Sequence, residues 1–297
     1  MRVIRYIVIC ILYSVLCTSV QAQLLYEISG KGSKNKSYLL ATNRYVEMTF
    51  IDTIPNVFRC FGRCNKVLTE FTMQDYEALA VLRQAALLPD SIVLRNFYSE
   101  DEYRLINNTL LIGVGMGLDQ LCRMKPSFLT EMYRTELMKQ WLGYDDQKSM
   151  ETFFESVAVE RNMPVIGLDA VGETMYMLFD REPFHWQCSE LLKVMEYPEN
   201  EVKQERAIRD MYRNGRLTDI SYQVEGPNNT SSVSYSDYQV FCQRNEQWVK
   251  RLQPYLTQGG VFITLNAVYL GGEKGLIEQL RKAGYRVRPV NRRNNKS

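Results

Sequence analysis

The stretch VFITLNAVYLGGEKGLIEQLRKAGYRVRPV, from Val261 to Val290, restricts the possible fold more than any other part of the chain. An apolar run of strand length stops at Asn266, and a polar, Gly-rich turn follows. Apolar residues then recur at helical spacing from Leu276 to Ala283. A second strand pattern, Tyr285–Pro289, comes next. A strand, a helix and another strand in succession call for an α/β sheet with some parallel pairing, and the unit fits a right-handed crossover. In such sheets the ends of strands that feed helices are where ligands and catalytic groups collect, because the free amides of helix starts gather there. No His, Asp or Cys stands in this corner, and the side chain that does is Tyr269.

The rest of the chain alternates in the same way. Leu24–Ser29 and Ser37–Thr42 read as two strands joined by the Gly/Lys/Ser turn Gly30–Lys36, a hairpin pattern. Lys66–Phe71 is a short strand, and Met73–Leu88 is a helix that stops at Pro89. Ser99 and Glu102 stand at the spacing of a capping box, and several helices follow from Tyr103 to Leu142, with Pro126 near the start of one. Met150–Asn162 has helical spacing, Pro164–Leu168 is a compact apolar run ending at Asp169, and helical patterns return at Phe184–Met195 and Val202–Arg213. Gly226–Ser232 is a loop, and Tyr235–Leu256 is a long amphipathic helix. The expected fold is therefore α/β: a single domain over residues 23–290, with a central mixed β-sheet flanked by helices.

The N-terminus has a different character. Arg2 and Arg5 precede the apolar run Tyr6–Cys17, and the small-residue stretch Val20-Gln21-Ala22 follows. That is the layout of a secretory signal peptide over residues 1–22, and the apolar run is too short for a spanning helix. The expectation is an exported protein, periplasmic or secreted, with no membrane span after cleavage. Taking Arg2 and Arg5 from the 36 basic residues leaves 34, equal to the 34 Asp and Glu. A neutral chain lacks the cationic field on which nucleic-acid binding depends, so nucleic acid is not an expected partner. The tail 291–297 is basic but short, and reads as a solvated end. Cys60, Cys64, Cys122, Cys188 and Cys242 remain after cleavage. The pair Cys60 and Cys64 is spaced for a disulfide or for two inert thiols, and lacks the companions of a zinc site.

Taken together, these pieces resemble the TraB/GumN family, which includes the Tiki-type metalloproteases. The resemblance runs from Leu25 to about Pro289. It is carried by the hairpin LYEISG and SYLLAT, the strand KVLTEF ending near Glu70, and PVIGLD, with Asp169 where the family usually has Glu. Further along it is carried by Gln187 and Leu191, by the Tyr212–Gly215 turn, by Arg244-Asn245 with Trp248, and by the C-terminal strand, turn and helix. The fold implied is of the erythromycin-esterase/ChaN-like type. In the family two GxxH turns, a Glu and an Arg assemble the active site, and the histidines hold a divalent metal that activates water for peptide hydrolysis. Carried over, the first GxxH falls on Ala41-Thr42-Asn43-Arg44 and the second on Asn266-Ala267-Val268-Tyr269. Both glycines and both histidines are absent. Glu70 and Arg244 stand in place.

The chain holds one histidine, His185, so no second imidazole is available. A guanidinium stays protonated and offers no lone pair, and a tyrosine ligates only as phenolate, far from its ordinary pKa of about 10. The expectation is that metal chemistry is lost and that no cofactor is held. A remnant pocket of Glu70, Arg244, Tyr269, Arg44 and Asp169 is then expected at the strand ends after Thr42, Glu70 and Asn266. Two arginines there should lower the pKa of Glu70. On this reading the protein is a catalytically inactive relative that binds a peptide, protein or small polar ligand. The other reading is a hydrolase rebuilt around Glu70, Arg244 and Tyr269. Gly113-Val-Gly-Met-Gly117 lacks the preceding strand of a dinucleotide loop.

Overall fold

A computed structural model describes residues 23–72, 76–143, 149–225 and 235–291. The leader 1–22, the first residues of the helix expected from Met73, the Gly226–Ser232 loop and most of the basic tail lie outside the described residues. The strands are β1 (Leu25–Ser29), β2 (Ser37–Thr42), β3 (Lys66–Thr69), β4 (Val165–Gly167), β5 (Val261–Asn266) and β6 (Arg286–Pro289). They form one mixed six-stranded sheet in the order β4-β3-β5-β2-β1-β6. β1 pairs antiparallel with β2 and with β6, whereas β2–β5, β5–β3 and β3–β4 are parallel. The fold is α/β, as the strand–helix alternation requires. The unit from β5 to β6 does run between parallel strands, but it passes over β2 and β1 to the far edge of the sheet.

The central strands carry the burial. Every residue of β2 is buried, and β5 is buried from Val261 to Leu265, which is why both read as unbroken apolar runs and not as alternating ones. The hairpin turn places Gly30 at φ +117°, a conformation that favours glycine.

Helices fill the connections: α1 (Val57–Phe61), α2 (Tyr76–Ala85), α3 (Glu100–Gly113), α4 (Leu118–Leu121), α5 (Pro126–Leu142) and α6 (Met150–Glu160). They continue with α7 (Val171–Phe179), α8 (Phe184–Glu196), α9 (Pro198–Arg213), α10 (Leu217–Glu225), α11 (Tyr235–Gln258) and α12 (Leu276–Lys282). α3 opens with the predicted capping box: Ser99 Oγ accepts from Glu102 N at 3.3 Å, and Ser99 N donates to Glu102 Oε2 at 2.7 Å. Pro126 starts α5, where a missing amide costs nothing. Two apolar clusters result. One packs the sheet against α6, α11 and α12, and the other joins α3, α5 and α8. Short helices α7 and α10 have too few turns to declare a period and were not expected from the sequence. All five described cysteines are free thiols; Cys64 donates to the Cys60 carbonyl at 3.4 Å. Among the described residues, no helix is long and apolar enough to cross a membrane.

The turn after β5 is packed without slack. A Cβ on Gly275 would overlap the Gly271 carbonyl, and one on Gly271 would overlap the Leu217 carbonyl. Backbone cannot swing aside as a side chain can. Gly275→Ala is therefore expected to destabilise the fold by about 1–3 kcal/mol, as overpacking does, read as a fall in the urea midpoint with an unchanged slope.

Candidate functional site

β2, β5, β3 and β4 are mutually parallel, so their C-terminal ends emerge side by side. Each delivers polar groups there: Thr42 and Asn43 after β2, Asn266 after β5, Glu70 after β3 and Asp169 after β4. α11 lies against these ends. Arg244, Trp248 and Arg251 stand at positions i, i+4 and i+7, on one helical face.

All three converge on Asp169, whose side chain is only 3% exposed. Arg244 Nε donates to Oδ2 at 2.7 Å, Trp248 Nε1 to Oδ1 at 2.8 Å and Arg251 Nη1 to Oδ1 at 2.7 Å. Arg251 also bridges to Glu173 at 2.8 Å and donates to the Leu168 carbonyl at 2.8 Å. Arg244 reaches Glu70 Oε2 at 3.0 Å, while Glu70 Oε1 accepts from the Asn266 amide at 2.9 Å. One guanidinium thereby ties the ends of β3 and β4 together, and Glu70 extends the tie to β5.

Tyr269 closes the group from the other side. Its ring stacks on Phe241 with centroids 5.8 Å apart and an interplanar angle of 12°, and meets Trp248 edge-on at 5.0 Å. The Arg244 guanidinium lies 4.6 Å from the Tyr269 ring centroid and 4.4 Å from that of Trp248, a double cation–π contact. Asn245, fully buried, donates to the carbonyls of Tyr269 and Lys274 at 3.1 Å each and so fixes the turn. Burial pushes the Tyr269 phenol above its ordinary pKa, against the pull of Arg244, and the ring stays neutral. Tyr212, also fully buried, donates its hydroxyl to the Ala41 carbonyl at 2.8 Å and anchors α9 to the end of β2.

The sequence-level picture needs two corrections. Arg44 lines a cleft with Tyr269 but not with Glu70, Arg244 or Asp169; it is exposed, with its guanidinium 5.0 Å from the Tyr45 ring. Glu70 is accordingly not held by two arginines. Its pKa is raised: loss of water around the carboxylate outweighs Arg244 and the Asn266 amide, and Glu151 and Asp169 add like charge. His185 is exposed, and the Ser189 hydroxyl beside it donates to the His185 carbonyl at 3.1 Å, which leaves no nucleophile–base pair. Gly113–Gly117 follows a helix, not a strand, as the sequence indicates.

In front of Tyr269 opens a cleft of about 520 Å³, within the range of small-ligand sites. Its walls come from α5, α7, α8, α9 and the start of α11, and Arg44, Phe241 and Tyr269 are among its lining residues. Glu70, Arg244 and Asp169 do not line it. Sequence reasoning missed Glu205, which lines the cleft from α9; it sits in the evenly charged run PENEVKQERAIRDMYR, where nothing local separates one Glu from the next. Arg251 was also missed, although its spacing from Arg244 and Trp248 marks the same face. The Asn43 side chain bonds Glu205, and Arg209 and Arg44 favour its charge, yet burial with the nearby Glu201 lifts its pKa to about 7.

Two outcomes follow from these charges. Asp169→Ala leaves Trp248 Nε1 and a buried guanidinium short of their acceptor, and is expected to cost about 3–5 kcal/mol in equilibrium unfolding. Glu205 binds a proton more tightly in the native than in the unfolded state, where Glu titrates near 4.5. Between about pH 4.5 and 7 its contribution to stability therefore falls as pH rises. Glu205→Gln removes that cost, and should raise stability by about 1–3 kcal/mol at pH 8 with little change at pH 4.5, measured by urea unfolding at both values.

Compared with models of known protein families, residues 24–289 match the TraB/PrgY/gumN family. No curated protein and no solved structure matches the chain. The matched segment covers almost the whole sequence beyond the leader-like residues, including the strand ends, α11 and the turn that carries Tyr269. The chain belongs to the TraB/PrgY/gumN family.

Proposed function

We propose that the protein is an exported, metal-free member of its family that works by binding and not by hydrolysis. The observation that carries this reading is the setting of Tyr269. At the position where the family resemblance implies a metal-binding histidine, the ring is clamped between Phe241, Trp248 and the Arg244 guanidinium. A cation–π contact on its face and a raised phenol pKa both work against phenolate ligation of a divalent cation. Arg44, at the other histidine position, stays protonated and offers a metal no lone pair. These side chains do not fit the family's metal, and no reaction step is assigned to one.

A rebuilt hydrolase is the second reading, favoured by the raised pKa of Glu70, which brings its carboxyl nearer the range of a general acid or base. Against it, both Glu70 oxygens are engaged, one by the Asn266 amide and the other by Arg244. Glu70 also lies outside the cleft lining. On the proposed reading the cleft is where a peptide, protein or small polar ligand docks.

Metal analysis of the purified chain by mass spectrometry, run beside a peptidase assay, separates the two readings. The expected result is far less than one divalent ion per chain and no hydrolysis, with Glu70→Gln unchanged in both. A stoichiometric metal, or a peptidase activity lost in Glu70→Gln, overturns the binding reading. For export, expression with the native N-terminus in a secreting host should yield a mature protein beginning near Gln23, read by intact mass. Retention of residues 1–22 would count against a cleaved leader.

A further inference from the structure

The cleft carries an imbalance of charge. Five carboxylates and three guanidinium groups line it. Arg134 alone serves three of the acids: Glu131 at 2.9 Å, Glu190 at 2.7 Å and Glu201 at 2.8 Å. One positive charge there faces three negative ones, and the nearest help is Lys193, half exposed and 3.9 Å from Glu190. Arg181 pairs with Glu182 at 3.0 Å and cancels it. The fifth acid, Glu205, stands one helical turn beyond Glu201 on α9, on the same side of the helix.

Glu205 is unusual among these acids in its hydrogen bonding. Asn43 bonds its carboxylate, but Oε1 is sealed from solvent and has no hydrogen-bond partner among the described residues. A carboxylate oxygen withheld from water and lacking a donor is costly to the free protein, by roughly 1–3 kcal/mol for a typical buried polar group. A turn of the Glu205 side chain toward the cleft, met there by a ligand that brings a donor, would relieve that cost. The rest of the wall mixes Ser127, Thr130, Gln187 and Gln204 with apolar side chains, among them the stacked Phe241 and Tyr269, Met138, Met177 and Ile208. Five carboxylates against three guanidinium groups, and a carboxylate oxygen short of a donor, select a cationic donor, while the aromatic and apolar part of the wall suits an apolar stem.

We propose that this cleft binds a primary ammonium carried on an apolar stem, with the ammonium against Glu205 and the stem along the Phe241–Tyr269 wall. The proposal rests on the binding reading given above and names the ligand class for it. A free alkyl or aryl amine and a lysine side chain of a peptide offer the same group, and both belong to the test. At pH 8 an alkyl ammonium, titrating near 10.4 as lysine does, is still charged, and Glu205 is ionised. The groups that set the Glu205 charge are Asn43 and Arg44 after β2, and Glu201 and Arg209 on its own helix.

Isothermal titration of the purified protein at pH 8 supplies the test, with hexylamine, hexanol and hexanoate as matched probes and an acetylated, amidated Ala-Lys-Ala peptide as the second source. The amine or the lysyl peptide should bind at least tenfold more tightly than hexanol, and hexanoate should bind worst. Glu205→Gln, which keeps an acceptor for Asn43, should lose about tenfold or more for hexylamine and the lysyl peptide and leave hexanol unchanged. Binding of hexylamine and the lysyl peptide should also weaken at pH 5.5, where Glu205 takes up its proton. Tighter binding of the peptide than of hexylamine assigns the site to a protein partner, and the reverse assigns it to a small amine; each supports the proposal. Equal binding of amine and alcohol, preference for hexanoate, or full affinity in Glu205→Gln overturns it. If all charged probes fail while another ligand class stabilises the protein, the ammonium assignment falls and the binding reading stands. Stoichiometric metal or peptide hydrolysis would instead remove the binding reading itself.

Discussion

The site depends on one buried carboxylate. Asp169 follows β4 at the sheet edge and takes hydrogen bonds from Arg244, Trp248 and Arg251 on a single face of α11. With β4 only three residues long, this carboxylate supplements a small ladder of backbone bonds. Arg244 and Glu70 then carry the link across β3 to the Asn266 amide, so the position of the turn after β5 is coupled to the position of α11. Removing one member of such a group leaves the others buried without partners, which makes the network stiff in a way an apolar patch of equal area would not be.

That stiffness bears on the cleft. Tyr269 is held on one face by Phe241 and at the edge by Trp248, with the Arg244 guanidinium over the ring. The residues that fix its ring are therefore the same ones that fix the strand ends, and the wall it presents to the cleft is pre-formed. A pre-formed wall lowers the ordering cost of binding. It also separates two environments: behind it lies a closed ion network, and in front lies a solvent-reached space lined by unbalanced acids.

Much of the fold was legible because long apolar runs have one reading when glycine-rich turns bound them. β2 and β5 declared themselves in this way, and so did α11 with its amphipathic spacing. The Arg244-Asn245-x-x-Trp248 pattern pointed to a site, and each of the three residues has a partner at the strand ends. Two kinds of information were not legible. Short helices such as α7 and α10 depend on tertiary packing more than on period. Charge balance is a property of the folded surface: Arg44 was expected beside Glu70 from motif position alone, but the chain after β2 turns outward through Asn43, whose side chain accepts from the Tyr45 amide at 2.8 Å. Glu205 became distinct only when α9 packed against that loop.

The two motif positions that the resemblance assigns to histidine have thus parted company. Tyr269 is drawn back into an aromatic and cationic sandwich, while Arg44 stands exposed with its guanidinium near Tyr45 and its charge felt by Glu205. A metal site needs its donors aimed at one point, with lone pairs and little positive charge nearby. Here one position has no lone pair and the other has a guanidinium on its ring face, so changing either residue alone would leave the second obstacle in place. Both side chains line the cleft, one in its aromatic wall and the other as a counter-charge to Glu205, whereas the ion network behind them is closed.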